Sequence, residues 1–298
     1  MIAVLFHLFV LLNLPCQLPA QQVPAYLMEM GSSGDAYALL VDKKNQRIAL
    51  YHSSPDGPQL LKYYRCTTGK NNNGSKSREG DLKTPNGIYF FKSVMEDEQL
   101  PPEYGVRAFP MDYPNDYDRL LNKSGHGIWL HAVNEDRRVE ISYDTKGCVV
   151  VTNNDILELS KYITLNKTPI IVDDSILTTT PSELKREREE ILRFVNDWAD
   201  AWQNKELERY MACYHERFRG YGRTKAQHRE YKNRLNKAYS WIKVEISDFR
   251  IYKYYNYLVV SFDQRYRSPR FRSTGRKKLY LTRTDNGLSI ISEKIMRY

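Results

Sequence analysis

Residues Thr145-Lys146-Gly147-Cys148-Val149-Val150-Val151 place a cysteine directly after a glycine, at the entrance of an apolar run. Glycine lets the chain turn tightly and lets another backbone come close, and the amides of such a turn can point at the oxygen of a carbonyl under attack. A thiol with a pKa near ~8.5 is mostly protonated at neutral pH, so a base is needed to raise its thiolate fraction. His131 closes the apolar segment Gly127-Ile128-Trp129-Leu130, a strand edge from which an imidazole could reach that thiol. The two residue types fit a nucleophile and its base. Taken alone, they fit a buried cysteine and a packed histidine at least as well. His126 falls on the opposite side of an extended strand from His131 and receives no catalytic role. The pair also lacks the repeated Cys/His spacing of a zinc site, so no metal and no other cofactor is expected.

The surrounding segments carry a resemblance. His131 followed by Thr145-x-Gly147-Cys148 resembles the His…Ser/Thr-His-Gly-Cys signature of the L,D-transpeptidase (YkuD) family. Gly69-Lys70 followed by Thr84-Pro85-Asn86-Gly87-Ile88-Tyr89 is similar to that family's glycine-lysine and Thr-Pro-x-Gly strand entry. Asn154-Asp155 with Leu159 resembles its post-cysteine helix, and Thr168-Pro169-Ile170-Ile171-Val172 its closing strand. The stretch from Arg107-Ala108-Phe109 through Asp112-Tyr113-Pro114-Asn115 to Gly125 and His131 resembles a subgroup that carries an extra C-terminal domain. The match covers about residues 35 to 173.

The resemblance implies a cysteine acyltransferase acting on peptidoglycan stem peptides. Cys148 would be the nucleophile and His131 the general base. The carbonyl of Ala132 would orient the imidazole, and the amides of Gly147 and Cys148 would form the oxyanion hole. The cysteine of such enzymes attacks the L-centre carbonyl of the diamino acid in a tetrapeptide stem and expels the terminal D-alanine. Transfer to an amine gives a crosslink, and transfer to water makes an L,D-carboxypeptidase, the reading towards which the extra domain leans. Two alternatives stand beside these: a hydrolase that detaches lipoprotein from the wall, and an inactive peptidoglycan-binding or scaffold protein. Lys146 replaces the second histidine of the signature and Val150 an arginine that often follows the cysteine. Lys146, Thr145, Trp129, Arg107 and Tyr113 are the candidate substrate-binding residues, with Tyr104 and Asn115 as further parts of a lid.

Short runs rich in Val, Ile and Tyr, separated by Gly, Pro and Asn, are expected to position this set. A hairpin spans Tyr37 to Tyr51 around Lys43-Lys44-Asn45-Gln46. Strands are expected at Lys62–Thr68, Gly87–Phe91, Gly127–His131, Arg138–Ser142, Cys148–Val151 and Ile170–Val172, with one helix from Asn154 to Ile163 capped by Asn153 or Asn154. The pattern changes after Thr180-Pro181. Leu184, Ile191, Phe194, Val195, Trp198 and Trp202 recur at helical spacing behind Ser182 as N-cap, and helical stretches follow near Lys205–His215 and Thr224–Ala238. Alternating pairs such as Val244/Ile246, Leu279/Leu281 and Leu288/Ile290 then read as an antiparallel sheet. The fold class is therefore a mainly-β YkuD-type, sandwich-like domain with one or two helices over residues 21–175, followed by an α+β, NTF2-like domain over 176–298.

Residues 1–20 contain an apolar run from Ile2 to Leu14, then Pro15 and Ala20, which reads as a signal peptide. The protein is accordingly expected to be exported to the periplasm or cell envelope, touching membrane only through that segment if it stays uncleaved. Cys66, Cys148 and Cys213 remain after cleavage, an odd number that leaves at least one thiol free. Cys66 and Cys213 read as packing residues. The net charge of +9 favours anionic partners, yet no nucleic-acid-binding signature accompanies it. Arg265, Arg267, Arg270, Arg272, Arg276, Lys277 and Lys278 crowd one hairpin with Tyr266 and Phe271. It reads as a solvated charged hairpin or as a binding site for glycan strands or anionic wall polymer.

Overall fold

A computed structural model describes residues 22–31 and 36–297. The expected signal peptide lies outside them. The described chain opens with β1 (Val23–Pro24) and β2 (Leu27–Met30), then forms the expected hairpin from β3 (Tyr37–Asp42) and β4 (Arg47–Ser54). Asp42 closes the turn by accepting from the Asn45 N–H at 3.1 Å. β5 (Gly57–Arg65), β6 (Gly87–Phe90), β7 (Met95–Glu96), β8 (Arg107–Pro110), α1 (Asp116–Leu120), β9 (Trp129–His131), β10 (Val149–Val150), α2 (Asn153–Leu159), β11 (Pro169–Asp173) and β12 (Thr178–Thr179) follow. Beyond them come α3 (Pro181–Gln203), α4 (Leu207–Ala212), β13 (Arg219–Gly220), β14 (Arg223–Thr224) and α5 (Lys225–Ala238). The long strands β15 (Lys243–Tyr254), β16 (Tyr257–Arg267), β17 (Arg272–Thr284) and β18 (Gly287–Arg297) complete the chain.

Two five-stranded sheets dominate, ordered β5-β4-β3-β11-β6 and β18-β17-β16-β15-β2. A smaller sheet, β10-β9-β8-β7, carries the candidate site. Alternation along the strands assigns each face. On the first large sheet Leu39, Val41, Ile48, Leu50, Ile170 and Val172 point to a core shared with Phe109, Leu130, Val149 and Ile156. Their neighbours Ala38, Leu40, Ala49, Ile88, Phe90 and Ile171 point the other way and meet Tyr252, Tyr257, Val259, Tyr280 and Ile291 of the second large sheet. The first sheet is thus covered on both faces, which is why its strands read as unbroken apolar runs rather than alternating ones. The second sheet's remaining face packs on α3 through Ile191, Val195, Trp198 and Trp202. A mainly β catalytic-type unit and an α+β NTF2-like unit therefore share one apolar layer.

Several expected elements differ in detail. β2, which sequence reading groups with residues 21–175, pairs with β15 and extends the second sheet. Residues 138–142 form no strand; Asp136–Glu140 is a 3₁₀ helix in which Val139 alone turns inward. Its backbone bonds are local, from the Arg138 N–H to Glu135 O and from the Ile141 N–H to Arg138 O, while Arg65 donates to Val139 O and Glu140 O. The helix after Cys148 ends at Leu159 and is capped by Thr152, whose hydroxyl accepts from the Asp155 N–H, rather than by Asn153 or Asn154. α3 is capped by Thr180 instead of Ser182, because Pro181 already takes the first helical position and Glu183 completes a capping box with Thr180.

Candidate active site

Cys148 sits immediately before β10, which runs parallel to β9 with Val149 opposite Leu130 and Val150 opposite His131. In a strand, residues two apart share a face. Leu130 and Val149 point into the core, so Trp129, His131 and Cys148 project together from the other face. The turn that delivers Cys148 is fixed by Thr145, whose hydroxyl donates to Cys148 O at 2.8 Å and accepts the Gly147 N–H at 3.0 Å. Thr145 is held in turn by its own N–H on Thr68 O and by the Lys70 N–H on its carbonyl. Gly147 adopts a φ of +129°, and a Cβ built there would lie 2.7 Å from Lys83 O. Only glycine fits. The Gly147 amide expected in an oxyanion hole is already donated to Thr145 Oγ1, leaving the Cys148 amide as this turn's remaining donor for a substrate oxygen.

His131 ends β9, is only 7% exposed, and places Nδ1 2.5 Å from Ala132 O. A carbonyl can only accept, so Nδ1 carries the proton and Nε2 keeps a free lone pair. Burial lowers the imidazole pKa to about 4; the Ala132 contact acts against that and the charge of Arg138 with it. Burial pushes the Cys148 thiol up to about 11, opposed by the backbone at Trp129 and by the positive charge of Lys76. The thiol itself lies 3.4 Å from Gly127 O, as donor. The resting pair is therefore neutral thiol and neutral imidazole, and the proton moves only as sulfur attacks an electrophile. That arrangement suits acyl transfer through a thioester.

Tyr104, the last residue of a 3₁₀ helix at Pro102–Tyr104, covers the pair, with its ring centroid 5.0 Å from Trp129 and 4.8 Å from His131. The next residue, Gly105 at φ +63°, lets this segment close down; a Cβ there would meet Ala132 Cβ and Val133 N at 2.6 Å. Asn153 staples the approach by accepting from the Val106 N–H and donating to Val133 O. Sequence reasoning saw Asn153 only as a helix cap and did not single out Lys76.

The structure brings Cys148, His131, Ala132, Gly147, Thr145, Trp129 and Tyr104 together, with Lys146 exposed beside them. Two expected substrate contacts are elsewhere. Arg107 is engaged by Glu96 at 2.7 Å and Ser160 at 2.7 Å, one residue off register from Ala108, which pairs with His131. Tyr113 is buried against Tyr89 with its hydroxyl on Ser124 O, which makes it a core residue. Asn115 caps α1 and donates to Ile88 O instead of facing the site. Cys66 is fully buried, with its thiol pushed well up by burial, and Cys213 donates to Arg209 O. Among the described residues no group of three or more His, Cys, Asp or Glu side chains could hold a metal ion, and no helix is long and apolar enough to cross a membrane.

The C-terminal unit holds a separate cavity of about 450 Å³ lined by Trp202, Tyr221, His228, Lys232, Lys277 and Glu293 among others. Lys277 and Glu293 pair at 2.7 Å with both side chains buried. Lys232 lies 3.6 Å over the Trp202 ring, and burial lowers its pKa to about 7. The cation-rich hairpin is thus not uniformly solvated. Arg265, Arg270 and Arg272 are exposed near its tip, whereas Arg276, Lys277 and Lys278 are interior, with Arg276 bound by Asp248 and Asp263.

Comparison with known proteins agrees with this architecture. Residues 36–172 match the model of the L,D-transpeptidase catalytic domain, and residues 190–294 that of the Cds6 C-terminal NTF2-like domain. The solved structure of Bd1075 from Bdellovibrio bacteriovorus is 32% identical and superposes with a TM-score of 0.81, covering 93% of this chain and 99% of that one. The helical cell shape determining protein Pgp2 from Campylobacter jejuni shares the fold at 23% identity and a TM-score of 0.72, over 90% and 95% of the two chains. A putative L,D-transpeptidase, YafK of Escherichia coli, is 27% identical over 131 residues, which span 44% of this chain and 48% of that protein.

Proposed function

We propose, from the premise that the chain belongs to the L,D-transpeptidase family and to its subgroup with a C-terminal NTF2-like domain, that it is an exported cysteine enzyme that cuts and transfers peptidoglycan stem peptides. Cys148 Sγ attacks the L-centre carbonyl of the diamino acid, and His131 Nε2 takes the thiol proton as the S–C bond forms. The Cys148 amide stabilises the oxyanion. When the tetrahedral intermediate collapses, the C–N bond breaks and the imidazolium returns its proton to the departing D-alanine amine, leaving a thioester. Water then gives a tripeptide, and an amine gives a crosslink. The observation that carries this reading is the contact of His131 Nδ1 with Ala132 O, which fixes the tautomer and presents Nε2 on the sheet face that bears Cys148. Trp129, Tyr104 and Lys146 are the neighbours that would hold the stem, while Thr145, buried with its hydroxyl on Gly147 and Cys148, would hold the turn.

The C-terminal unit would hold glycan strands or anionic wall polymer through the cavity at Trp202 and Lys232 and the exposed arginines of the β16–β17 hairpin. The test is mass spectrometry of purified disaccharide-tetrapeptide incubated with the protein, with Cys148→Ala as control. Loss of D-alanine identifies the carboxypeptidase, and crosslinked dimer or D-amino-acid exchange the transpeptidase. Intact substrate with folded protein would overturn both.

A further inference from the structure

Between Lys70 and Thr84 the chain forms a loop without regular strands or helix, yet it buries an ion pair. The Lys76 and Asp81 side chains are 4% and 6% exposed and meet at 2.7 Å. A buried pair is expensive to desolvate and is weak evidence of stability alone, so its position matters. Lys76 Nζ also donates to Arg78 O. Asp81 accepts Lys76 Nζ and the N–H groups of Ser77, Arg78 and Lys83. Burial acts to raise its pKa, but the ammonium and the three amides outweigh it and hold the carboxyl at about 2.

This loop brackets the thiol from two sides. The stem of Lys76 runs against Gly125, where a Cβ would come within 3.0 Å of Lys76 Cε, and two residues further on Gly127 O takes the Cys148 thiol. At the loop's far end Lys83 O closes on Gly147, the residue before Cys148. The other charged and titratable groups around the sulfur are differently placed. His131 is neutral, Tyr104 and Glu103 come from the 3₁₀ helix, Asp144 is engaged by Arg138 and Lys70, Lys146 is exposed, and His126 faces Glu79. Lys76 is the buried cation of the set.

We propose that Lys76, held in place by Asp81, is an electrostatic positioning residue for Cys148 that stabilises the negative charge developing on sulfur as it attacks. The role rests on the reading of Cys148 as the nucleophile, although its test needs no substrate. The two members of the pair act with opposite sign. Removing the cation disfavours thiolate; removing the carboxylate leaves the cation uncompensated and favours it.

The experiment is the pH profile of Cys148 alkylation by iodoacetamide in the full chain, in a Cys16→Ser, Cys213→Ser background with folding followed by thermal melting. Lys76→Met is expected to move the profile to higher pH by roughly half to one unit, Asp81→Asn to lower pH, and Lys76→Arg to leave it near wild type. A purely structural clasp would move Lys76→Met and Asp81→Asn in the same direction, and that result, or an unmoved profile in both, overturns the proposal. Because alkylation is read without peptidoglycan, absence of tetrapeptide turnover would sink the proposed function and leave this result standing.

Discussion

Replacing Gly147 by alanine tests how far the backbone of one turn governs the chemistry. At φ +129° an L-residue occupies a sparsely populated conformation that costs on the order of 1–3 kcal/mol. The new methyl would also sit 2.7 Å from Lys83 O and 3.0 Å from Ile128 Cδ1, a clash with backbone on one side that a side chain cannot relieve. Overpacking of that kind costs about 1–3 kcal/mol more. Together the destabilisation is about 2–6 kcal/mol, which for a chain of 298 residues unfolding as a unit lowers Tm by roughly 3–10 °C. If the turn yields instead, the hydrogen bonds from the Gly147 N–H to Thr145 Oγ1 and from Thr145 Oγ1 to Cys148 O break and Cys148 is displaced. Melting curves and tetrapeptide turnover should be measured on the same preparation. A Gly147→Ala protein that melts within about 1 °C of wild type and keeps its turnover within about two-fold refutes the account of this turn.

Other substitutions divide the site by role. Cys148→Ala should abolish turnover at unchanged Tm, while His131→Ala should slow acylation on the order of 10²–10⁴-fold, read in single-turnover assays with tetrapeptide. Lys146→Ala is expected to raise KM, whereas Arg107→Ala, whose guanidinium is occupied by Glu96 and Ser160, should leave KM within about two-fold. Stability should fall with acid. Burial depresses both His131 and His228 to about 4, below the unfolded value of 6.5, so the unfolded chain binds more protons between those limits. Their contribution is complete above pH 6.5 and is lost as pH drops towards 4, by roughly 2 kcal/mol for each histidine at pH 5. Urea unfolding at pH 7 and pH 5 reads this directly, and equal midpoints would contradict the buried, neutral imidazoles.

Gly147-Cys148 and His131 can be singled out because their types and order are local properties of the chain, although on residue type alone they fit packing as well, and the structure sets them on neighbouring short strands. What escaped depends on partners distant in sequence. Tyr113 looks like a lid aromatic until Tyr89 and Ser124 enclose it, and Arg107 looks free until Glu96 and Ser160 bind it. Arg276 and Lys277 look solvated in a charged hairpin, yet their counter-charges are Asp263 and Glu293 on the neighbouring strands β16 and β18, with Asp248 on β15 beyond. Residues 138–142 alternate like a strand, but their backbone bonds close locally as a 3₁₀ turn, with Val139 O and Glu140 O held by the distant Arg65. Lys76 carries no local signal, since its interest lies in what folds beside it.

The apolar layer between the two large sheets has a genetic corollary. Ile171 and Phe90 from the N-terminal unit are sealed by Tyr280 and Ile291 from the C-terminal one, so neither half can be passed on as an interchangeable cassette. A nonsense codon at the start of the last strand would remove Ile291 from beneath the first sheet and Glu293 from the cavity in one event. Lesions at the far end of the gene are thus expected to disturb the fold around Cys148, encoded near its middle. Selection acting on the C-terminal half leaves its mark on the N-terminal half as well.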